Sequence, residues 1–152
     1  HLGITPNLKE LNLRDCHYLV ELHMPAESLK LKSIDLCHSK LRTLYLGFTP
    51  NLETLSLSDC QFLVELHMSA KSLKLKSLTL SHSKLRTLYL GFTPNLETLS
   101  LSDCQFLVEL HMSAKSLKLK SLTLSHSKLK TLYLGVTPNL ETLSLKDKVE
   151  TL

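Results

Sequence analysis

A 44-residue internal period constrains this 152-residue chain more than any other feature. The tetrapeptide Thr-Pro-Asn-Leu begins at positions 5, 49, 93 and 137, which defines three full repeats, 5–48, 49–92 and 93–136, and a partial terminal coil, 137–152. A fixed period of this size is typical of stacked repeat architectures, in which each unit contacts only its neighbours and the array supplies the stability. We therefore expect one continuous solenoid domain over residues 1–152.

Each repeat contains two shorter coils with a strand signal on both halves. The front halves read LETLSLSDC from Leu52 and LKSLTLSHS from Leu75, and the return halves read LVELHM from Leu63 and LRTLYL from Leu85. Leucines two apart share one face of a strand, and no segment has helical periodicity. The pattern predicts a β-rich solenoid of right-handed coils with parallel β-sheets on both faces, the second more irregular, and little or no α-helix. Leu, Met and Phe are expected to fill the slot between the sheets.

The charge pattern argues against two classes of partner. The net charge is +4 and the pI is near 8.9, but the cations are scattered along the sequence and form no polybasic block. We therefore expect no nucleic acid and no membrane as a partner. No apolar run approaches the roughly 20 residues of a membrane-spanning helix.

The cysteines follow the repeat instead of forming a disulfide framework. Cys16, Cys60 and Cys104 are 44 residues apart, which places them two coils apart, or about 9–10 Å at about 4.8 Å per layer. That distance is too long for a disulfide and favours a reducing, intracellular setting. These three thiols are expected to point inward, whereas Cys37 occupies an outward position and is expected to be an exposed, oxidisable thiol.

The segment LETLSLSDCQFLVEL from Leu96 resembles the leucine-rich repeats of plant intracellular immune receptors of the TIR–nucleotide-binding–leucine-rich-repeat type. The resemblance covers nearly the whole chain and implies a cytoplasmic horseshoe or solenoid used for protein recognition. No residues resemble the nucleotide-binding or TIR parts of that family, so no cofactor is expected.

Two copies that differ only at Arg86/Lys130 and Phe92/Val136 are more uniform than natural receptor repeats. This favours an engineered, idealised scaffold of the protein-interaction type, produced recombinantly and without a native ligand. The alternative is a fragment of a natural plant receptor that recognises a pathogen protein.

The outward positions of the front strands form the candidate interaction surface, namely Thr54, Ser56, Asp59, Thr79, His82, Asp103 and His126. The eighth position of each coil alternates Asp and His, so stacking would place each inner His between two carboxylates. We interpret this row as charge complementarity that fixes the register, and expect it to make the array more stable at mildly acidic pH. A row of Asp/His metal sites is the less favoured alternative, because zinc prefers convergent, tetrahedral ligands.

The return halves carry a second ladder, which comprises His67, Tyr89, His111 and Tyr133. Alternating rings on adjacent strands are ordinary sheet packing, although a row of exposed rings also marks some interfaces. The spacing Ser81-x-x-Lys84 matches a motif of serine enzymes, but there it must open a helix. We therefore expect no catalytic or metal-binding residue and no enzymatic activity.

The first and last coils are incomplete. His1 to Ile4 aligns with Tyr45 to Phe48, in the middle of a coil, and the chain ends with a charged, truncated coil. Uncapped coils of this kind are expected to favour end-to-end self-association.

Overall fold

The computed structural model describes residues 5–113, 116–132 and 134–145. These residues form short strands and no helix, and therefore no helix that is long and apolar enough to cross a membrane. The strands are β1 (Glu10–Asn12), β2 (Ser33–Asp35), β3 (Thr43–Tyr45), β4 (Thr54–Leu57), β5 (Glu65–His67), β6 (Ser77–Ser81), β7 (Thr87–Tyr89), β8 (Thr98–Ser102), β9 (Glu109–His111), β10 (Ser121–Ser125) and β11 (Thr142–Leu145). The predicted helix-free solenoid is confirmed.

The front strands form one parallel, seven-stranded sheet in the order β1-β2-β4-β6-β8-β10-β11. Equivalent positions of successive coils pair with each other: Leu55 with Leu78, Leu78 with Leu99, and Leu99 with Leu122. Because the side-chain period of a strand is two residues, this register keeps every leucine on the inner side. We call the outer surface of this sheet, formed by the alternate outward residues of these seven strands, the first-sheet face.

The return side is a second, interrupted parallel sheet. Strand β3 pairs with β5 and strand β7 with β9, in registers that place Tyr45 opposite His67 and Tyr89 opposite His111. Strands β5 and β7 do not pair. Their coils are instead joined next to these strands by a hydrogen bond from the Lys84 N–H to the Leu63 carbonyl oxygen (2.9 Å). The prediction of parallel sheets on both faces, with a more irregular second sheet, is confirmed.

Leucine fills the space between the two sheets almost alone. Buried leucines from the front and return halves form one continuous cluster, and the three Met side chains pack partly buried against it. The expectation that Phe joins this core is wrong, since Phe48, Phe62, Phe92 and Phe106 are each 45–49% exposed. These rings lie at the two edges of the coil, beyond the ends of the strands.

Glycine makes one of these edges possible. Gly91 adopts a positive φ of 65° directly after the return half, and a Cβ there would overlap the carbonyl oxygen of Ala70. The next residue, Phe92, then pairs with the preceding coil through its N–H, which donates to Ala70 O (2.9 Å). The left-handed residue turns the chain. The side chain of Phe92 therefore does not continue the in–out alternation of the return strand and does not point into the core.

Candidate functional site

A row of left-handed residues lies just beyond the front strands. Their φ angles are 53–62°, and Asp and His are among the non-glycine residues enriched in this conformation. The members are Asp15, His38, Asp59, His82, Asp103 and His126. The row therefore lies at the turn that follows the strand and not on the sheet itself, where the sequence analysis placed Asp59, His82, Asp103 and His126.

These turns also continue the hydrogen bonding between coils. The Asp59 N–H donates to Ser81 Oγ (3.0 Å), and the His82 N–H donates to Ser102 O (3.1 Å). Asp and His therefore suit this position for two reasons: they tolerate the left-handed backbone conformation, and they carry complementary charge. The signal in the sequence is the restriction of this position to two residue types that tolerate positive φ.

The predicted position of a His between two carboxylates is confirmed for His82. His82 lies between two carboxylates, with Nδ1 2.7 Å from Asp59 Oδ1 and Nε2 3.5 Å from Asp103 Oδ2. His38 pairs with Asp59 at 3.5 Å, and His126 pairs with Asp103. Since these side chains are 30–56% exposed, each pair contributes little by itself. The dependence of stability on pH stays a prediction.

The first-sheet face is lined by small hydroxyl side chains in its central coils. Thr54 is exposed, whereas Ser56 and Thr79 are half-buried between their neighbours. Thr54 and Ser56 lie on β4 and Thr79 on β6, so the structure brings them together with the turn row on one side of the solenoid. The small hydroxyl side chains of β4 and β6 suit a flat contact surface.

Cys37 does not behave as the sequence predicts. It is 1% exposed, with Sγ 3.1 Å from Ser56 Oγ and its N–H donating to Asp35 Oδ1 (3.1 Å). The expectation of an exposed thiol is therefore wrong, because the Ser56 hydroxyl of the next coil and the Asp35 carboxylate at the end of β2 lie against Cys37. Burial opposes ionisation of Asp35, but the hydrogen bonds from Cys37 and the ion pair with Arg14 outweigh it and hold the Asp35 pKa below its usual value.

Cys60 and Cys104 point into the core, as predicted. The Cys60 thiol donates to Leu36 O (3.1 Å) and lies 3.5 Å from Ser39 Oγ, and Ser83 donates to Cys104 Sγ (3.5 Å). Burial raises the pKa of both thiols above the usual value. Together with Cys16 and Cys37 they are free thiols.

The ladder on the return face is a set of separate pairs. Tyr45 stacks on His67 with ring centres 4.2 Å apart, and Tyr89 stacks on His111 at 4.3 Å. His67 and Tyr89 do not stack, because β5 and β7 do not pair. Tyr133 lies outside the described residues.

Glu65 ties one of these pairs together. It accepts hydrogen bonds from His67 Nε2 (2.9 Å) and from the Tyr45 hydroxyl (3.3 Å). The bond from His67 lowers the pKa of Glu65, and the charge of Glu65 raises the pKa of Tyr45. The pair is thus a hydrogen-bonded cluster and not an isolated aromatic contact.

The sequence analysis missed a row of asparagines at the edge that contains Gly91. Asn51 Nδ2 donates to the Leu29 carbonyl oxygen of the preceding coil (2.6 Å), and Asn95 and Asn139 repeat this bond to Leu73 and Leu117. The recurring Thr-Pro-Asn-Leu motif was the sequence signal for this row. Considered alone, the motif predicts only a turn and not a bond between coils.

The described part of the chain offers no cluster of metal ligands. Within residues 5–113, 116–132 and 134–145, no three His, Cys, Asp or Glu side chains converge as metal ligands. Ser81 ends strand β6 and does not begin a helix, while Lys84 Nζ lies 5.4 Å from the centre of the Phe62 ring.

Comparison with protein families agrees with this geometry. The family model described as Leucine Rich Repeat matches residues 51–73 and 95–117, which are the coils that contain β4–β5 and β8–β9. The chain is a leucine-rich repeat protein. Its repeats are of a type that commonly serves as a protein-interaction scaffold. No curated protein and no solved structure matches the chain significantly.

Proposed function

We propose that this leucine-rich repeat protein is a non-enzymatic, idealised scaffold of the protein-interaction type, with the first-sheet face as its contact surface. The observation that carries the proposal is uniformity: repeats 49–92 and 93–136 present the same outward residues on the front strands. A receptor surface selected for one partner would differ from coil to coil. The alternative, a fragment of a natural plant immune receptor, is supported by the LETLSLSDCQFLVEL resemblance alone.

The scaffold proposal is tested by diversifying the first-sheet face. A display library randomised at Ser77, Thr79, Thr98 and Ser100, which are half-buried outward positions, should remain folded, because large losses of stability come mainly from changes in the core, and the leucine core beneath these positions is unchanged. Selection against a model protein such as lysozyme should return binders with melting temperatures near that of the parent. Loss of cooperative unfolding in most library members would contradict the proposal.

We include end-to-end self-association and a reducing, cytoplasmic setting in the proposal. Among the described strands, β1 and β11 each pair on one side only, and Leu143 on β11 is 38% exposed. Sedimentation velocity at rising concentration should show a growing mean mass, and a strict monomer would contradict self-association. The free thiols support the reducing setting.

A further inference from the structure

One edge of the solenoid carries two parallel rows in which cations alternate with apolar side chains. The edge lies between the turn that follows each front strand and the start of each return strand. The outer row is Tyr18, Lys40, Phe62, Lys84, Phe106 and Lys128, and the inner row is Val20, Arg42, Val64, Arg86, Val108 and Lys130. All of these residues are exposed. We call this surface the basic edge.

Backbone and ring contacts establish the order within the rows. In the inner row the Arg42 N–H donates to Val20 O (3.3 Å), and the Val64 N–H donates to Arg42 O (2.8 Å). In the outer row each Lys lies over the ring of the preceding coil, at 6.0 Å for Lys40 over Tyr18 and 5.4 Å for Lys84 over Phe62. Each row spans six coils, or about 24 Å at about 4.8 Å per coil.

The cations of the basic edge have no carboxylate partner among the described residues. The neighbouring carboxylates are engaged elsewhere: Asp59 and Asp103 pair with the histidines of the turn row, and Glu65 and Glu109 accept bonds from His67 and His111. The edge thus presents six positive charges whose neighbouring carboxylates are directed elsewhere. Along the sequence these cations are scattered, but the 44-residue period collects them on one line.

We propose that the basic edge docks on the surface of an anionic lipid bilayer. The cations match the anionic headgroups, and the apolar side chains between them match the boundary between headgroups and acyl chains. A repeating surface suits a partner without a unique shape, whereas a single protein epitope would require unlike groups from coil to coil. A linear polyanion would satisfy the cations but would leave Phe62, Val64, Phe106 and Val108 without a complement. The first-sheet face remains free in this arrangement.

The test is partition into vesicles of phosphatidylcholine with and without phosphatidylserine. The full chain should bind the phosphatidylserine vesicles, more weakly at high salt, and should bind pure phosphatidylcholine far less. Each cation near an anionic surface is expected to contribute about fivefold to the partition coefficient, so the double variant Lys84→Gln/Arg86→Gln should bind about 25-fold more weakly. The second pair, Lys40→Gln/Arg42→Gln, repeats the measurement in another coil.

The matched control removes the same charge from the opposite edge. Lys74→Gln/Lys118→Gln changes two exposed lysines that lie before β6 and β10, and it should bind nearly as tightly as the parent. Thermal melts confirm that each variant is folded. The proposal would be overturned if Lys84→Gln/Arg86→Gln and the control Lys74→Gln/Lys118→Gln lost equal affinity. It would also be overturned if binding did not depend on phosphatidylserine.

A variant without a charge change separates a bilayer from a polyanion. Phe62→Gln should weaken vesicle binding at least about fivefold, because the ring loses its apolar environment in the bilayer. Unchanged vesicle binding by Phe62→Gln, or tighter binding of the parent to soluble polyphosphate than to vesicles, would overturn the assignment to a bilayer.

Discussion

Asp59 combines a conformational and an electrostatic role that substitution can separate. Its φ is 55°, and its carboxylate lies 2.7 Å from His82 Nδ1 and 3.5 Å from His38 Nδ1. Asp59→Asn keeps a residue that tolerates the left-handed conformation but removes the charge. Asp59→Gly also keeps the conformation, whereas Asp59→Ala removes both features.

The magnitudes of these three changes differ. The carboxylate is about one-third exposed, at 32%, so loss of its two pairs in Asp59→Asn should cost about 0.5–1.5 kcal/mol. Asp59→Ala adds the left-handed penalty of about 1–2 kcal/mol, for a total of about 1.5–3.5 kcal/mol. Asp59→Gly should lie within about 1 kcal/mol of Asp59→Asn, since glycine adopts positive φ without a steric penalty.

Urea unfolding at pH 6, at low and at high salt, measures these differences. The loss in Asp59→Asn should shrink in high salt, because screening shortens the Debye length to about 3 Å at 1 M. The gap between Asp59→Ala and Asp59→Asn should not change with salt. Equal stability of Asp59→Ala and Asp59→Asn would refute the conformational role, and an Asn variant as stable as the parent at low salt would refute the ion-pair role.

Three further predictions concern the turn and the thiols. Gly91→Ala should lower the free energy of unfolding by about 2–4 kcal/mol, from the left-handed penalty and the displaced bond to Ala70; an unchanged urea midpoint would contradict this. In the native protein, Ellman's reagent should label Cys16 alone, since the other three thiols are buried. After unfolding it should label all four thiols. Fast labelling of Cys60 in the native protein would contradict the burial of that thiol. Because burial raises the pKa of Cys60 and Cys104, their contribution to stability is complete below the ordinary thiol pKa of about 8.5 and is lost as pH rises through the raised values. The variant Cys60→Ala/Cys104→Ala should therefore show a flatter decline of melting temperature at alkaline pH than the parent, and parallel declines would disprove the assignment.

The repeat and the strand register were predictable because they depend on local alternation. Leu55, Leu57 and Leu78 lie at core positions of a period-two pattern, and all three are 0% exposed. The dominance of leucine at these positions excludes a one-residue shift, which would turn the buried side chains towards solvent. The same reasoning correctly placed a second strand in the return half.

The errors arise where an interaction between coils or a left-handed residue overrides that alternation. Phe92 follows a glycine with positive φ, so the strand pattern no longer determines its direction. Cys37 has an outward position but is covered by Ser56 of the next coil, 19 residues away along the chain. The sequence predicted that Asp59 alternates with His in stacked coils. The strand pattern did not predict the left-handed backbone conformation of Asp59.

The double coil explains why the period is 44 residues and not about 22. In three outward rows that contain charged residues, a side chain meets an unlike neighbour: Asp59 meets His82, Glu53 meets Lys76, and Lys84 meets Phe62. Identical single coils would stack Asp on Asp and Lys on Lys at about 4.8 Å, an arrangement that destabilises parallel ladders. Insertion of a whole 44-residue unit preserves each alternation, whereas insertion of one coil places like charges side by side in several rows at once. The permitted change in length for this leucine-rich repeat array is therefore two coils, because the polar rows and not the leucine core distinguish one coil from the next.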